Sequence, residues 1–232
     1  MTAPPLITRV EPLRPRGLKV LIHLDQGEPL EVMLESLERH RLGVGDLLPA
    51  EKRNRLLYDD ADIRIRDAAF NLISYRARTR AELRRKLWQK GFPPARIDSC
   101  LDRLQERGFI DDGAVAQAFV RDRLLHKPKG KAALSSELRA KGVEGDLATK
   151  SIDSVFEAAE TSDLSLAREV AGKWVARQNE GVLNALVSDR SSPDRDKARR
   201  RLLGYLSRRG FRGDSIGAGM AAAADAARER ID

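Results

Sequence analysis

The chain has a single cysteine, Cys100, in 232 residues. With no second cysteine no intrachain disulfide can form, and a cytoplasmic location is expected. Cys100 falls three residues after Ile97 on an apolar helical face, so it reads as a small core residue rather than a reactive thiol. The three histidines, His23, His40 and His126, have no ligand-like spacing to one another or to Cys100, so no metal site is expected. There is no convergent His/Asp/Ser set and no nucleotide fingerprint behind a strand, so neither an enzyme nor a cofactor is expected. No apolar run approaches membrane-spanning length, and the N-terminus lacks the charged-then-apolar plan of a signal peptide. Aromatic residues make up only 5% of the chain, which argues against a base-stacking platform. Acidic residues are in deficit as well: 35 Asp+Glu face 43 Lys+Arg, for a net charge of +8 and a pI of about 9.9. Such an excess favours polyanionic partners, nucleic acid foremost.

What is present is helical and repeats itself. In the stretch Thr79–Asp112, Thr79 and Glu82 have capping-box spacing. Leu83 and Leu87 share a helical face. Gly91 and Phe92 are placed to form a left-handed stop that brings Phe92 onto Leu87. Pro94 suits the first turn of the next helix, and Ile97, Leu101 and Leu104 follow along one face. Gly108 and Phe109 repeat the stop, and Asp111 or Asp112 can cap a third helix. The frame Leu83, Leu87, Gly91, Phe92 recurs as Leu134, Leu138, Gly142, Val143 and as Leu202, Leu206, Gly210, Phe211. Apolar residues return at fixed offsets beyond each glycine. This predicts a mainly α fold of three tandem three-helix repeats over residues 63–110, 111–160 and 162–232, nine helices stacked as an elongated helical array. Residues 181–191 have no counterpart in the other repeats and read as an insertion. Trp88, next to Leu87, is expected in the core. The glycines and alanines of the last helix predict fraying.

Residues 1–60 differ. Leu6–Val10, Leu18–Leu24 and Leu30–Leu34 read as short strands of a small α+β module containing a β-hairpin. A helix is expected from Pro49 to Leu57. The run Asp59, Asp60, Asp62 is expected to sit before the next helix and favour its positive end. Asp146 is expected to cap a later helix.

Charge is concentrated on the second helix of each repeat. Between residues 76 and 90 only Glu82 opposes Arg76, Arg78, Arg80, Arg84, Arg85, Lys86 and Lys90. The loop 126–134 adds Lys127, Lys129 and Lys131; its spacing is not that of a phosphate-binding P-loop. The third repeat adds Arg199, Arg200, Arg208 and Arg209, with Lys197 and Arg201 beside them. Such faces suit phosphate contact, which positions without reading sequence. A helix-turn-helix regulator reading duplex DNA is the alternative, although the helices after the glycines are not the basic ones.

The run Leu72-Ile73-Ser74-Tyr75-Arg76-Ala77-Arg78-Thr79, with Glu82-Leu83 and Leu87 to Gly91, resembles the first repeat of the RecX family of RecA regulators. Gly108-Phe109-Ile110-Asp111-Asp112 with Ala116, Phe119 and Val120 resembles the join into its second repeat. Lys127-Pro128-Lys129-Gly130, with Leu138 and Lys141-Gly142, resembles the loop and helix there. The likeness is strong over residues 66–157, weaker over 163–230 and weakest over 1–60. It implies a non-enzymatic modulator, expected to be monomeric, that binds the groove of the RecA–single-stranded DNA filament and curbs its ATPase, strand exchange and coprotease activities. The partners so implied are the RecA filament and single-stranded DNA phosphates. The contact residues, Arg76, Arg78, Arg80, Arg84, Arg85, Lys127, Lys129, Lys131, Arg199, Arg200, Arg208 and Arg209, are nominated on charge and position.

Overall fold

The computed structural model describes residues 3–15 and 17–231. It divides into two compact units, Met1–Ile110 and Asp111–Asp232.

The first unit opens with an antiparallel sheet of β1 (Ile7–Pro12), β2 (Lys19–Leu24) and β3 (Leu30–Met33), in that order. The strands begin and end within two residues of the predicted positions. Alternation explains which face is covered: Val20, Ile22, Leu30 and Val32 are buried while Lys19 and Glu31 are exposed. The outer edge of β3 is closed by side chains. Asp60 accepts the Met33 N–H at 2.6 Å, and the Arg64 guanidinium donates to the Glu31 carbonyl. An edge occupied in this way cannot pair with another strand.

After the short α1 (Leu34–Arg39), α2 (Ala50–Tyr75) runs unbroken for 26 residues. This corrects two expectations. The helix does not end at Leu57, and the acidic run does not precede a helix start. No glycine or proline interrupts residues 50–75, and each carboxylate has its own partner. Asp59 meets His40 Nε2 at 2.9 Å, and Asp62 takes Arg96 Nη1 at 3.0 Å. Asp60, 3% exposed, also accepts from Ser36 Oγ at 2.6 Å and pairs with Arg64. The run is therefore a set of tertiary anchors rather than a response to the helix dipole.

Helices α3 (Arg80–Gln89) and α4 (Pro94–Glu106) complete this unit, and their core holds Leu83, Leu87, Ile97, Cys100, Leu101 and Leu104. The Thr79 hydroxyl accepts the Glu82 N–H at 3.1 Å. Gly91 has φ +87°, and the Phe92 N–H reaches back to the Leu87 carbonyl, as the stop signal requires. Trp88 is not in the core. It is 63% exposed, because one residue beyond Leu87 is about 100° around the helix and off the apolar stripe.

The second unit holds α5 (Asp112–His126), α6 (Lys131–Ala140), α7 (Gly145–Ala158), α8 (Asp163–Val175), α9 (Glu180–Val187), α10 (Pro193–Arg208) and α11 (Asp214–Ile231) around one continuous apolar core. Gly142 and Gly210 end α6 and α10 at φ +81° and +85°. Three further corrections belong here. Glu144, not Asp146, occupies the cap position of α7. The insertion forms α9, whose Leu183 and Leu186 enter the core, so ten helices rather than nine are described beyond residue 63. Finally, α11 stays helical to Ile231 against α8, with Ala223 and Ala227 fully buried. A Cβ on Gly219 would stand 3.1 Å from the Ala167 carbonyl oxygen. Small residues here permit close helix approach, and the dispersion contacts of that approach replace the apolar bulk the sequence lacks.

Candidate nucleic-acid interface

The nominated cations separate into paired and unpaired groups. In the first unit most are paired. Arg76 forks onto Glu82 at 3.1 and 3.2 Å, a bidentate geometry that fixes both side chains. Arg78 Nε donates to the Leu72 carbonyl at 2.9 Å, satisfying an acceptor in the last turn of α2. Arg80 meets Asp102 at 2.8 Å. Arg84 holds Asp98 at 2.7 and 3.1 Å, and that hydrogen bond is the main reason the Asp98 carboxyl lies below its ordinary range. Arg85 alone of these five has no hydrogen bond or ion pair among the described residues.

In the second unit the loop between α5 and α6 is held in place by its own cations. Lys129 and Arg123 both hydrogen-bond Glu137. Burial pushes the Glu137 carboxyl upward, but those two hydrogen bonds and the two charges outweigh it and hold the group below its ordinary range. Lys131 Nζ reaches Asp153 at 2.6 Å and lies 5.0 Å from the Phe156 ring centroid. Lys127 is exposed and its side chain has no partner among the described residues.

The fold brings this loop to the end of α10. The Gly130 N–H donates to the Arg209 carbonyl at 2.8 Å. A Cβ on Gly130 would lie 2.7 Å from the Gly210 oxygen, and one on Gly210 would lie 2.4 Å from the Ala133 nitrogen. Only paired glycines allow two backbones this close. Lys127, Lys129, Arg208 and Arg209, far apart in sequence, thus share one region.

Along α10 the cations are almost unneutralised. Lys197, Arg199, Arg201 and Arg208 are exposed and have no ion pair among the described residues. Arg200 makes only a 3.2 Å bond to the Asp196 carbonyl, and Arg209 stacks 3.8 Å from the Tyr205 centroid. An open groove of about 600 Å³ runs beside this face, lined by Lys197, Arg200, Arg201, Tyr205 and Arg208 from α10, with Trp174 and Gln178 opposite, and no carboxylate enters it. Of the nominated residues only Arg200 and Arg208 line it; Arg199 does not. Lys197, Arg201 and Tyr205 were not nominated. Their signal was available, because positions 197, 201, 205 and 208 fall on one helical stripe.

Comparison with known proteins places the chain. The model of the RecX first three-helix domain matches residues 66–104, and that of the second matches 111–152. The regulatory protein RecX of Mycolicibacterium smegmatis is 37% identical over 149 residues, 63% of this chain and 72% of the relative. That of Halorhodospira halophila is 38% identical over 159 residues, 68% of this chain and 88% of the relative. The chain belongs to the RecX family. The fold agrees: a crystal structure of a regulatory protein RecX matches with a TM-score of 0.66 at 19% identity, over 94% of this chain and 99% of the other. RecX from Lactobacillus salivarius gives 0.56 at 22% identity, over 72% and 98%. The two RecX domain models cover the paired cations of the first unit and the 127–131 loop, and stop short of α10.

Proposed function

We propose that this protein is a non-enzymatic regulator of the RecA recombinase. It lies in the groove of the RecA–single-stranded DNA filament and curbs ATP hydrolysis, strand exchange and coprotease activity, and through them recombinational repair and the SOS response. It acts as a cytoplasmic monomer and needs no cofactor. Kinship with proteins named regulatory protein RecX carries the reading. The unneutralised cations of α10 support its nucleic-acid half, because charges without internal partners are the ones available to neutralise phosphate.

The helix-turn-helix alternative draws no support from α4, the helix after the Gly91 turn. Its Arg96 is occupied by Asp62 and the Tyr58 carbonyl, and its Arg103 by Ser99. A recognition helix needs free side chains at base edges. The test is a titration of RecA's DNA-dependent ATPase with purified protein. Inhibition is expected at concentrations below that of RecA, since a ligand that bridges or ends a filament affects more subunits than it touches. Unchanged ATPase and strand exchange at equimolar ratio would end the RecA reading.

A further inference from the structure

We propose that a pocket between α1, α2 and α4 of the first unit binds a small organic phosphate, its phosphate held by arginines and its body laid over an apolar floor. The proposal goes beyond the regulatory reading and does not depend on it.

Two helical stripes and one further arginine build the pocket. On α2, Asp62, Arg66 and Phe70 recur every four residues. On α4 and its cap, Cys100, Arg103 and Arg107 recur every three or four. Arg39, at the end of α1, completes the ring. The cavity so lined measures about 290 Å³. That is close to the roughly 300 Å³ at which small-molecule pockets begin, and more than a bare phosphate fills. Ile63, Cys100 and Leu104, each only 2–3% exposed, form its base, while Arg39, Arg103 and Arg107 are exposed at its mouth.

Charge indicates the ligand. Two carboxylates serve five guanidiniums around this pocket. Glu35 is shared by Arg66, which forks onto it, and by Arg39 at 3.0 Å. Asp62 is taken by Arg96 at 3.0 Å and stands 3.9 Å from Arg103. The Arg107 side chain has no partner among the described residues. Burial pushes the Cys100 thiol upward, so it is uncharged at neutral pH and offsets nothing. The dipole of α4 favours cations in its last turn. This accounts for Arg103 and Arg107 taken singly, but not for Arg39 and Arg66 set beside them. The excess is more than one carboxylate can neutralise. A phosphate monoester brings up to about two negative charges and three acceptor oxygens, which guanidinium forks fit.

Shape favours a discrete molecule over a strand. The floor belongs to the core of the unit, so the pocket is a recess with a base rather than a track open at both ends. Phe70, held edge-to-face by Phe109 at 5.0 Å between ring centroids, adds an aromatic wall. An apolar or aromatic body can lie against it with its phosphate at the rim.

Isothermal titration calorimetry tests the site on the full chain, without RecA or nucleic acid. The probes are adenosine 5′-monophosphate, phenyl phosphate, adenosine and inorganic phosphate. At least one of the two organic phosphates should bind at least about tenfold more tightly than inorganic phosphate and adenosine. R103Q/R107Q should weaken that binding at least about tenfold, as the loss of charge-assisted hydrogen bonds requires. Arg55, an exposed cation on α2 outside the pocket, supplies the control, and R55Q should stay within about twofold. Circular dichroism checks the fold; should the double variant not fold, R107Q, which has no internal partner to lose, decides alone against R55Q. Equal effects of the pocket variant and R55Q overturn the site. Inorganic phosphate or adenosine binding as tightly as both organic phosphates overturns the shared role of rim and floor. Absence of binding by both organic phosphates at about 1 mM overturns the proposal as a whole. Displacement of the bound ligand by an oligothymidylate with a 5′-hydroxyl end overturns the discrete occupant. Because neither RecA nor its activity is read, these outcomes are separate from failure of the ATPase test.

Discussion

Replacing Gly210 with alanine tests whether the 127–130 loop is locked to the end of α10. Two costs arise there. The residue has φ +85°, and forcing an L-residue into that region costs about 1–2 kcal/mol. The added methyl would also stand 2.4 Å from both the nitrogen and the Cβ of Ala133. Backbone cannot swing aside as a long side chain does, so an overpacking cost of about 1–3 kcal/mol is expected. Reduced entropy of the unfolded chain returns about 0.4–1 kcal/mol. The net expectation is a loss of about 2–4 kcal/mol. Gly213 is the internal comparison: its φ is +52°, but nothing lies within 4 Å of its would-be Cβ. G213A should therefore cost only the conformational part, about 1 kcal/mol. Urea unfolding followed at Trp174, in the W88F background, reads both variants in the unit that contains them. The Gly130 methyl would press on the same contact from the other side. G130A and G210A should accordingly be non-additive, since separating the backbones once relieves both clashes. Equal costs for G210A and G213A, or strict additivity of the pair, would refute the docking.

Two further perturbations probe other anchors. Asp60→Ala removes the acceptor shared by Met33, Ser36 and Arg64 and should destabilise by about 3–5 kcal/mol, as breaking a buried pair does; guanidinium denaturation read at Trp88 checks it, and a loss under about 1 kcal/mol would refute the anchoring. Glu137 titrates below its ordinary value when folded, with burial opposing and Lys129 and Arg123 prevailing. Its stabilising contribution is therefore present above the unfolded value of about 4.3 and is lost as pH falls through the lower folded value. The gap in stability between wild type and E137Q should be open at neutral pH and close in acid. A gap that persists unchanged to about pH 2 would contradict the ion-pair account.

Much of the helical fold is legible because its signals are local. The leucine pairs, the glycine stops and the caps at Thr79 and Asp111 each act within one helical turn, and the structure uses them where the spacing puts them. Sequence and structure part where a distant group decides. An acidic run resembles a helix start until His40, Ser36 and Arg96 are known to face it. Residues 214–231 look weak because glycine costs helix propensity and alanine offers little apolar area to bury. Pressed against Ala167 of α8, the same smallness permits contacts that bulkier residues would forbid. Trp88 misleads by one position, since its hydrophobicity suggests a core place that the helical angle denies it.

The basic interface is legible only as a sum. Sequence counts cations, and a phosphate sees only those that no carboxylate has claimed. Arg76, Arg80 and Arg84 carry the same formal charge as Lys197, Arg201 and Arg208. The first three act on Glu82, Asp102 and Asp98, and their fields are largely cancelled within a few ångströms. The last three keep theirs, and they point it into a groove with no acidic wall. Exchanging a paired arginine for glutamine should therefore affect stability before affinity, and exchanging an unpaired one should do the reverse. Partner contact follows from the residual field after internal pairing, and pairing is a property of the fold, not of the charge total.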